Sequence, residues 1–492
     1  MNKKVLLLNP YIKTFSTPFK TENLSLSYLS AYLNDKGINT LVYDADLYEI
    51  SIDKLIKNLD FKSYTLIGIT LNSYVSESIV VELCNLIKQN YNVKICLGGH
   101  YASLFHKQLI EKYKSIDFVI RGDGEILLHQ LVENLDNLYW QKSNDFISSK
   151  NNIACKIYNI ENLDELPWPD RNTLNYLKDN YYAYDSDFPI RILSSRGCYA
   201  KCTFCDISSF YKKWRYRNSK DLVDEIEYLM KKYNSNFFRF TDDEFIGSFP
   251  DGHNRIRELM EEILNRELNI KFSFNSRVQD VNYELFNLLK KAGCVECYIG
   301  LESANDRILK LYKKGHTLKE AVHAIKILRD LNINFVCEFI MFDPRLKYDE
   351  LKANFEFITK FDLTSIASLT RWLLPYYGTS VYKELDDSNL LFNKNNGYAE
   401  YKCEDQDVDE VLNIFKLIKE KYDSLEKLIY KNELEKELRD SIEEYYLNFL
   451  INIYKLLFDQ KAFNLNNEMK NFEKNLELLF LDKKEKIPYL LF

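Results

Sequence analysis

The sequence predicts an α/β protein in three parts: an N-terminal doubly wound parallel sheet, a central partial (β/α)6 barrel and a helical C-terminal domain. Three observations predict it. Strand-length apolar runs alternate with helix-period segments over residues 1–140 and again over 188–385, with a linker at 141–187 between them. Over residues 386–492 the strand patterns stop, and spacings such as Val411, Ile414, Phe415 and Ile418 are helical. A chain of 492 residues is too long for one ordinary core, so division into domains is expected.

In the first series, Val5–Leu8 is a continuous apolar run ended by Asn9-Pro10, as for a buried strand. Helical spacing over Leu24–Leu33 ends at Gly37. Thr40–Tyr43 and Leu66–Leu71 read as strands, Ile79–Lys88 as a helix, and strand Val93–Leu97 stops at Gly98-Gly99. Helix Phe105–Tyr113, strand Phe118–Ile120 and helix Ile126–Leu135 complete the series. Such alternation implies a parallel sheet covered on both faces, with its ligand beyond the carboxyl ends of the strands. Residues 141–187 are weakly periodic, and Leu166-Pro167-Trp168-Pro169-Asp170 reads as linker, because proline donates no backbone hydrogen bond.

The second series has strands at Ile190–Leu193, Asn236–Phe240, Lys271–Asn275, Glu296–Ile299, Asn334–Ile340 and Ile366–Leu373. Helices Asp221–Lys232, Asn254–Leu264, Tyr283–Lys291, Leu318–Leu331 and Leu351–Lys360 lie between them. Six such units are too few for a closed eight-fold barrel, so an open one is expected, with its chemistry at the C-terminal strand ends.

A chain with 46% hydrophobic and 28% charged residues is globular. Its net charge of −7 argues against a broad nucleic-acid footprint. The apolar run Val5–Leu8 is too short for a signal peptide, and no stretch reaches the roughly 18 apolar residues of a membrane span. A cytoplasmic location is therefore expected, with the ten cysteines reduced, buried or metal-bound.

The strongest signal is Arg196-Gly197-Cys198-Tyr199-Ala200-Lys201-Cys202-Thr203-Phe204-Cys205. Three thiolates on one short loop can bind three irons of a cubane, leaving the fourth iron open to a chelating ligand. Gly197 lets the backbone turn beside the cluster, and Phe204 shields it from water. Structural zinc asks for four ligands, and no histidine lies nearby. Cys294 and Cys297 form a second Cys-x-x-Cys, read as core packing.

The Cys-x3-Cys-x2-Cys spacing, after the first strand of a β/α series, resembles the radical S-adenosylmethionine (SAM) superfamily. The resemblance implies a [4Fe-4S] cluster on Cys198, Cys202 and Cys205, whose open iron binds SAM and cleaves it to a 5′-deoxyadenosyl radical. It implies SAM contacts at Phe204, at Asp242 and Asp243 after the second strand, at Asn275 and Arg277 after the third, and at Glu302 in Gly300-Leu301-Glu302-Ser303. An arginine suits a bidentate contact with the methionine carboxylate, and a glutamate can accept the ribose hydroxyls. Pro375-Tyr376-Tyr377-Gly378-Thr379 resembles the family's turn after the sixth strand.

The N-terminal series resembles the cobalamin-binding domain that precedes many such enzymes, through Leu97-Gly98-Gly99-His100, Asp117–Glu125 and the linker Leu166–Asp170. Thr70, Asn72, Gly98 and Gly99 are then expected to bind cobalamin. The Asp-x-His-x-x-Gly segment that gives cobalt a histidine in some cobalamin proteins is absent, so a cobalt without that ligand is expected. The resulting expectation is a cobalamin-dependent radical C-methyltransferase acting on a small molecule or peptide, with a reductase, flavodoxin or ferredoxin as electron donor. The alternatives are a radical rearrangement, cyclisation or oxidation without methyl transfer, and a cluster- or cobalamin-binding regulator without turnover.

Overall fold

The computed structural model describes residues 3–12, 20–180, 188–394, 397–430, 435–459 and 463–482. Residues 181–187 of the expected linker and 483–492 of the expected C-terminal domain lie outside the described residues.

Six strands form the first sheet: β1 (Lys4–Asn9), β2 (Asn39–Asp44), β3 (Leu66–Thr70), β4 (Lys94–Gly98), β5 (Phe118–Ile120) and β6 (Ile147–Ser149), in the order β2-β1-β3-β4-β5-β6. Every pair is parallel except β5–β6. Both faces are covered, so Val5–Leu8 of β1 is apolar throughout. Leu6 and Leu8 pack into one core, and Val5 and Leu7 into the other. The strand order reverses between β1 and β3, which places a crevice at Asn9 and Thr70.

Two elements depart from the sequence expectation here. The expected linker supplies β6, which is three residues long and too short to show any alternation. It is held by β5 and by a 2.7 Å bond between His106 Nδ1 and Ser148 Oγ. The helix expected at Phe105–Tyr113 is present as His106–Lys112, and a short helix not expected from the sequence, His100–Leu104, precedes it.

The second sheet contains β7 (Ile190–Ile192), then, beyond the hairpin β8 (Ser195–Arg196) and β9 (Arg215–Tyr216), β10 (Phe237–Phe240), β11 (Lys271–Arg277), β12 (Cys294–Glu302) and β13 (Asn334–Phe339). It is parallel throughout, in the order β13-β12-β11-β10-β7. The strand expected at Ile366–Leu373 is instead a helix, Ile366–Thr370. Its apolar residues Ile366, Leu369 and Leu373 are three and four apart, and Ser365 caps it by accepting from Ser368 N–H. A single parallel bridge, Phe342 to Trp372, stands where the sixth strand begins. The barrel is therefore open beside β13. Cys294 and Cys297 are buried in its apolar core.

After the barrel come helices Gln406–Lys421, Asp423–Tyr430, Lys436–Phe458 and Leu465–Asp482. They share one continuous apolar core with the barrel. Tyr454 stacks between Phe355 at 4.8 Å and Phe415 at 4.2 Å, which joins the two parts.

Arg171, just after the Pro-Trp-Pro-Asp segment, fastens the two sheets together. It is buried, pairs with Glu22 and donates to Glu225 at 2.8 Å. Arg217 reaches the other oxygen of Glu225 at 2.6 Å and Asp221 at 2.7 Å. Among the described residues no helix is long and apolar enough to cross a membrane.

Candidate active site

The loop after β8 carries Cys198, Cys202 and Cys205 as free thiols, with Cys202 buried and the other two half-buried. Gly197 sits at φ +82°, and a Cβ there would lie 2.7 Å from Lys213 O and 2.9 Å from Tyr211 Cβ, so the tight turn requires glycine. Thr203 anchors the loop, donating through N–H to Tyr312 O at 3.0 Å and through Oγ1 to Leu311 O at 3.0 Å. Phe204 packs edge-on against Tyr312, with centroids 4.9 Å apart.

Arg277, at the end of β11, comes to this loop. Its Nη1 donates to Cys202 Sγ at 3.2 Å, its Nη2 binds Lys314 O, and its guanidinium lies over the Tyr199 ring. Its Nε is buried with no partner. Burial pushes the Cys198 and Cys205 thiols up to about 12, so a cation on the loop is what would hold them as thiolates. Among the described residues, no three His, Cys, Asp or Glu side chains converge on one point for a single metal ion. Three thiols with an adjacent arginine suit a cubane, whose irons each take a separate thiolate.

Glu302 ends β12 in the left-handed region at φ +72°. Its carboxylate accepts from Lys314 Nζ at 3.1 Å, and both side chains are buried. That backbone conformation is uncommon for a residue with a side chain.

The acidic run after β10 divides between two roles. Asp242 faces the interior. It is fully buried, and its Oδ1 accepts from Ser194 Oγ at 2.7 Å and Ser195 Oγ at 2.5 Å, tying the end of β7 to the end of β10. At Asp242, expected as a SAM contact, the structure shows these structural bonds. Asp243 is exposed to the cavity described below, and its Oδ2 accepts from Gly197 N–H at 3.1 Å. Asn275 donates to Asp242 O at 3.1 Å and accepts from Arg239 Nη2 at 2.6 Å.

Across from this loop lie the carboxyl ends of the first sheet. Gly99, at φ +113°, leaves no room for a Cβ, which would lie 2.3 Å from Asn72 Oδ1. Asn72 Oδ1 in turn accepts from His100 N–H at 3.2 Å. Thr70 Oγ1 donates to Asn9 Oδ1 at 2.9 Å. Gly98 faces open space. Thr70, Asn72, Gly98 and Gly99 line one cavity of about 530 Å³, and Asp243 and Arg196 form its other wall. Open backbone at a topological switch point suits a large flat cofactor, so the residues fit the expected group.

Residues given no site role in the sequence reading also gather here. Lys314 faces Glu302, and Gln279 binds the Lys314 carbonyl. His316 is buried with both ring nitrogens unpartnered, and burial pushes it down to about 4. Glu244 is buried and pushed up to about 8, by burial and then by Asp280. His100 stacks on Phe210 at 4.1 Å and lies 3.7 Å from Asp206, the residue after Cys205. The segment Lys314-Gly315-His316 has no periodicity to signal it, and only its place beside Arg277 gives it meaning.

Residues 192–358 match the radical SAM superfamily, and residues 14–132 match the B12 binding domain. The chain is 28% identical to an uncharacterized methyltransferase, PH0819, of Pyrococcus horikoshii over 76% of this chain and 80% of that one. It is 26% identical to the anaerobic magnesium-protoporphyrin IX monomethyl ester cyclase of Rubrivivax gelatinosus over 75% of this chain and 67% of that one. Among solved structures, the cobalamin-dependent SAM radical enzyme OxsB superposes with a TM-score of 0.81 at 21% identity, covering 98% of this chain and 80% of that one. The radical SAM methyltransferase TsrM of Kitasatospora setae superposes with a TM-score of 0.60 at 17% identity, covering 79% and 75%. These two likenesses establish the fold.

Proposed function

Since the chain belongs to the radical SAM superfamily and carries a B12-binding domain in front of its barrel, we propose that it is a cobalamin-dependent radical methyltransferase acting on an unactivated carbon of a small molecule or peptide. Its cofactors are a [4Fe-4S] cluster, SAM and cobalamin. When bound, they supply a 5′-deoxyadenosyl radical that takes a hydrogen atom from the substrate and a methyl group that replaces it. One observation carries the reading: a single cavity is walled by Thr70 and Gly98 on one side and by Arg196 and Asp243 on the other. That geometry supports two cofactors meeting across one space.

The chain's own side chains would hold these groups. Cys198, Cys202 and Cys205 bind the cluster, and Arg277 is placed beside it for the methionine carboxylate. Glu302 is oriented by Lys314 for the ribose hydroxyls, and Asp243 is left for the amino group. Thr70, Asn72, Gly98 and Gly99 seat cobalamin. A flavodoxin, ferredoxin or reductase supplies the electron.

The test is anaerobic reconstitution of the full chain with iron, sulfide and hydroxocobalamin, then metal analysis. About four irons and one cobalt per chain are expected, and a Cys202→Ala variant should lose the iron and keep the cobalt. A chain without cobalt would sink the methyl-transfer reading, and one without iron the whole proposal. A second reading, ring closure without methyl transfer, is favoured by the likeness to the cyclase. Product analysis separates them: methyl transfer yields S-adenosylhomocysteine as well as 5′-deoxyadenosine, and ring closure yields only the latter.

A further inference from the structure

Arg196 and Arg215 lie directly opposite each other in the β8–β9 hairpin. Like charges in that position repel, and both side chains are buried, where an unpaired guanidinium is costly. The remedy comes from the other sheet. Asp123 of the N-terminal domain sets one oxygen on each arginine, Oδ1 to Arg196 Nη1 at 3.0 Å and Oδ2 to Arg215 Nη1 at 2.6 Å. Glu125 completes a fork on Arg196, with Oε1 at 2.7 Å from Nη2 and Oε2 at 3.3 Å from Nη1. Two carboxylates balance two guanidiniums, and all four side chains are buried. Tyr28 lies under Arg196 at 5.2 Å and Tyr211 under Arg215 at 5.0 Å, which fixes both planes.

Only Gly197 separates Arg196 from Cys198. The hairpin that launches the cysteine loop is thus neutralised by residues that the barrel does not own. Asp123 and Glu125 also line the cavity that faces Gly98, so the quartet is at once the root of the cysteine loop and a wall of that cavity. We propose that Asp123 and Glu125 are positioning residues of the cluster site, acting through Arg196, so that cluster retention and occupancy of the interdomain cavity are coupled. This rests on the radical SAM reading of Cys198, Cys202 and Cys205. Coupling of this kind is reciprocal: whatever steadies the cavity wall steadies the loop, and the reverse.

The test uses the reconstituted full chain. An iron chelator is added to wild type, Asp123→Asn and Glu125→Gln, and iron release is timed with and without bound hydroxocobalamin. The electron paramagnetic resonance of the reduced cluster is recorded before and after addition of SAM. Both variants are expected to release iron on the order of tenfold faster, since each removes a carboxylate charge from the buried quartet, and to show an altered spectral response to SAM. Bound cobalamin should slow release in wild type and lose that effect in the variants. Glu133→Gln, which removes only an exposed pair with Lys3 in the same domain, is the control and should match wild type. If a carboxylate variant does not accumulate folded, Arg196→Lys keeps the charge and loses the fork, and release between wild type and tenfold is expected. Wild-type release rates and spectra in the variants would overturn the inference alone. Failure of the wild type to hold iron would instead overturn the cluster reading beneath it.

Discussion

Asp44 shows how one side chain can set a pH dependence. It ends β2, is fully buried, and accepts from Asn9 Nδ2 at 2.8 Å and Leu47 N–H at 3.1 Å. Burial raises its pKa from 3.8 to about 6, against the lowering effect of those bonds. The folded state therefore holds the proton more tightly than the unfolded chain. Its stabilising contribution is complete below about pH 4 and is lost as the pH rises through about 6. At pH 7 the ionised group costs on the order of 3 kcal/mol. Asp44→Asn is expected to be more stable than wild type at pH 7 and to match it near pH 4, as read by urea unfolding at the two values. Legibility at this scale followed local motifs. The cysteines, Arg277 and Glu302 stand at fixed spacings or strand ends and could be named from them. Asp242 and Asp243 could not be told apart, because an acidic run does not say which carboxylate turns to Ser194 and which to the cavity.

The helix Ser219–Tyr233 holds Glu225 and Asp221 in place, and its start depends on Asn218. The Asn218 side chain accepts from Lys220 N–H at 2.9 Å and Asp221 N–H at 3.2 Å. Asn218→Ala is expected to cost about 1 kcal/mol, seen as a lower unfolding midpoint with an unchanged slope in urea. Strands buried on both faces were readable as continuous apolar runs, β1 most clearly. The pieces β6, β8 and β9 are two or three residues long and carry no period to read. In Ile366–Leu373 apolar residues lie three and four apart and Ser365 caps the segment, which decides for a helix over the expected strand.

At the scale of the whole molecule, Glu225 is shared by Arg171 and Arg217, and all three are buried. Glu225→Ala leaves two buried arginines short of charge and is expected to cost about 3–5 kcal/mol, read as a fall in thermal midpoint of the apo chain. Conversely, an unmoved midpoint would show that the Glu225 pairs do not hold this junction. None of this junction was legible in the sequence. Glu22 and Arg171 are 149 positions apart, and nothing local pairs them. The same junction also bears on the order of events in time. The cavity of about 530 Å³ opens between two sheets whose seam is sealed by buried ion pairs on Arg171 and Arg196. Widening that seam for a corrinoid means parting several buried charges. A chain that finishes folding empty is therefore expected to fill slowly, through a door that must work its charged hinges before it opens.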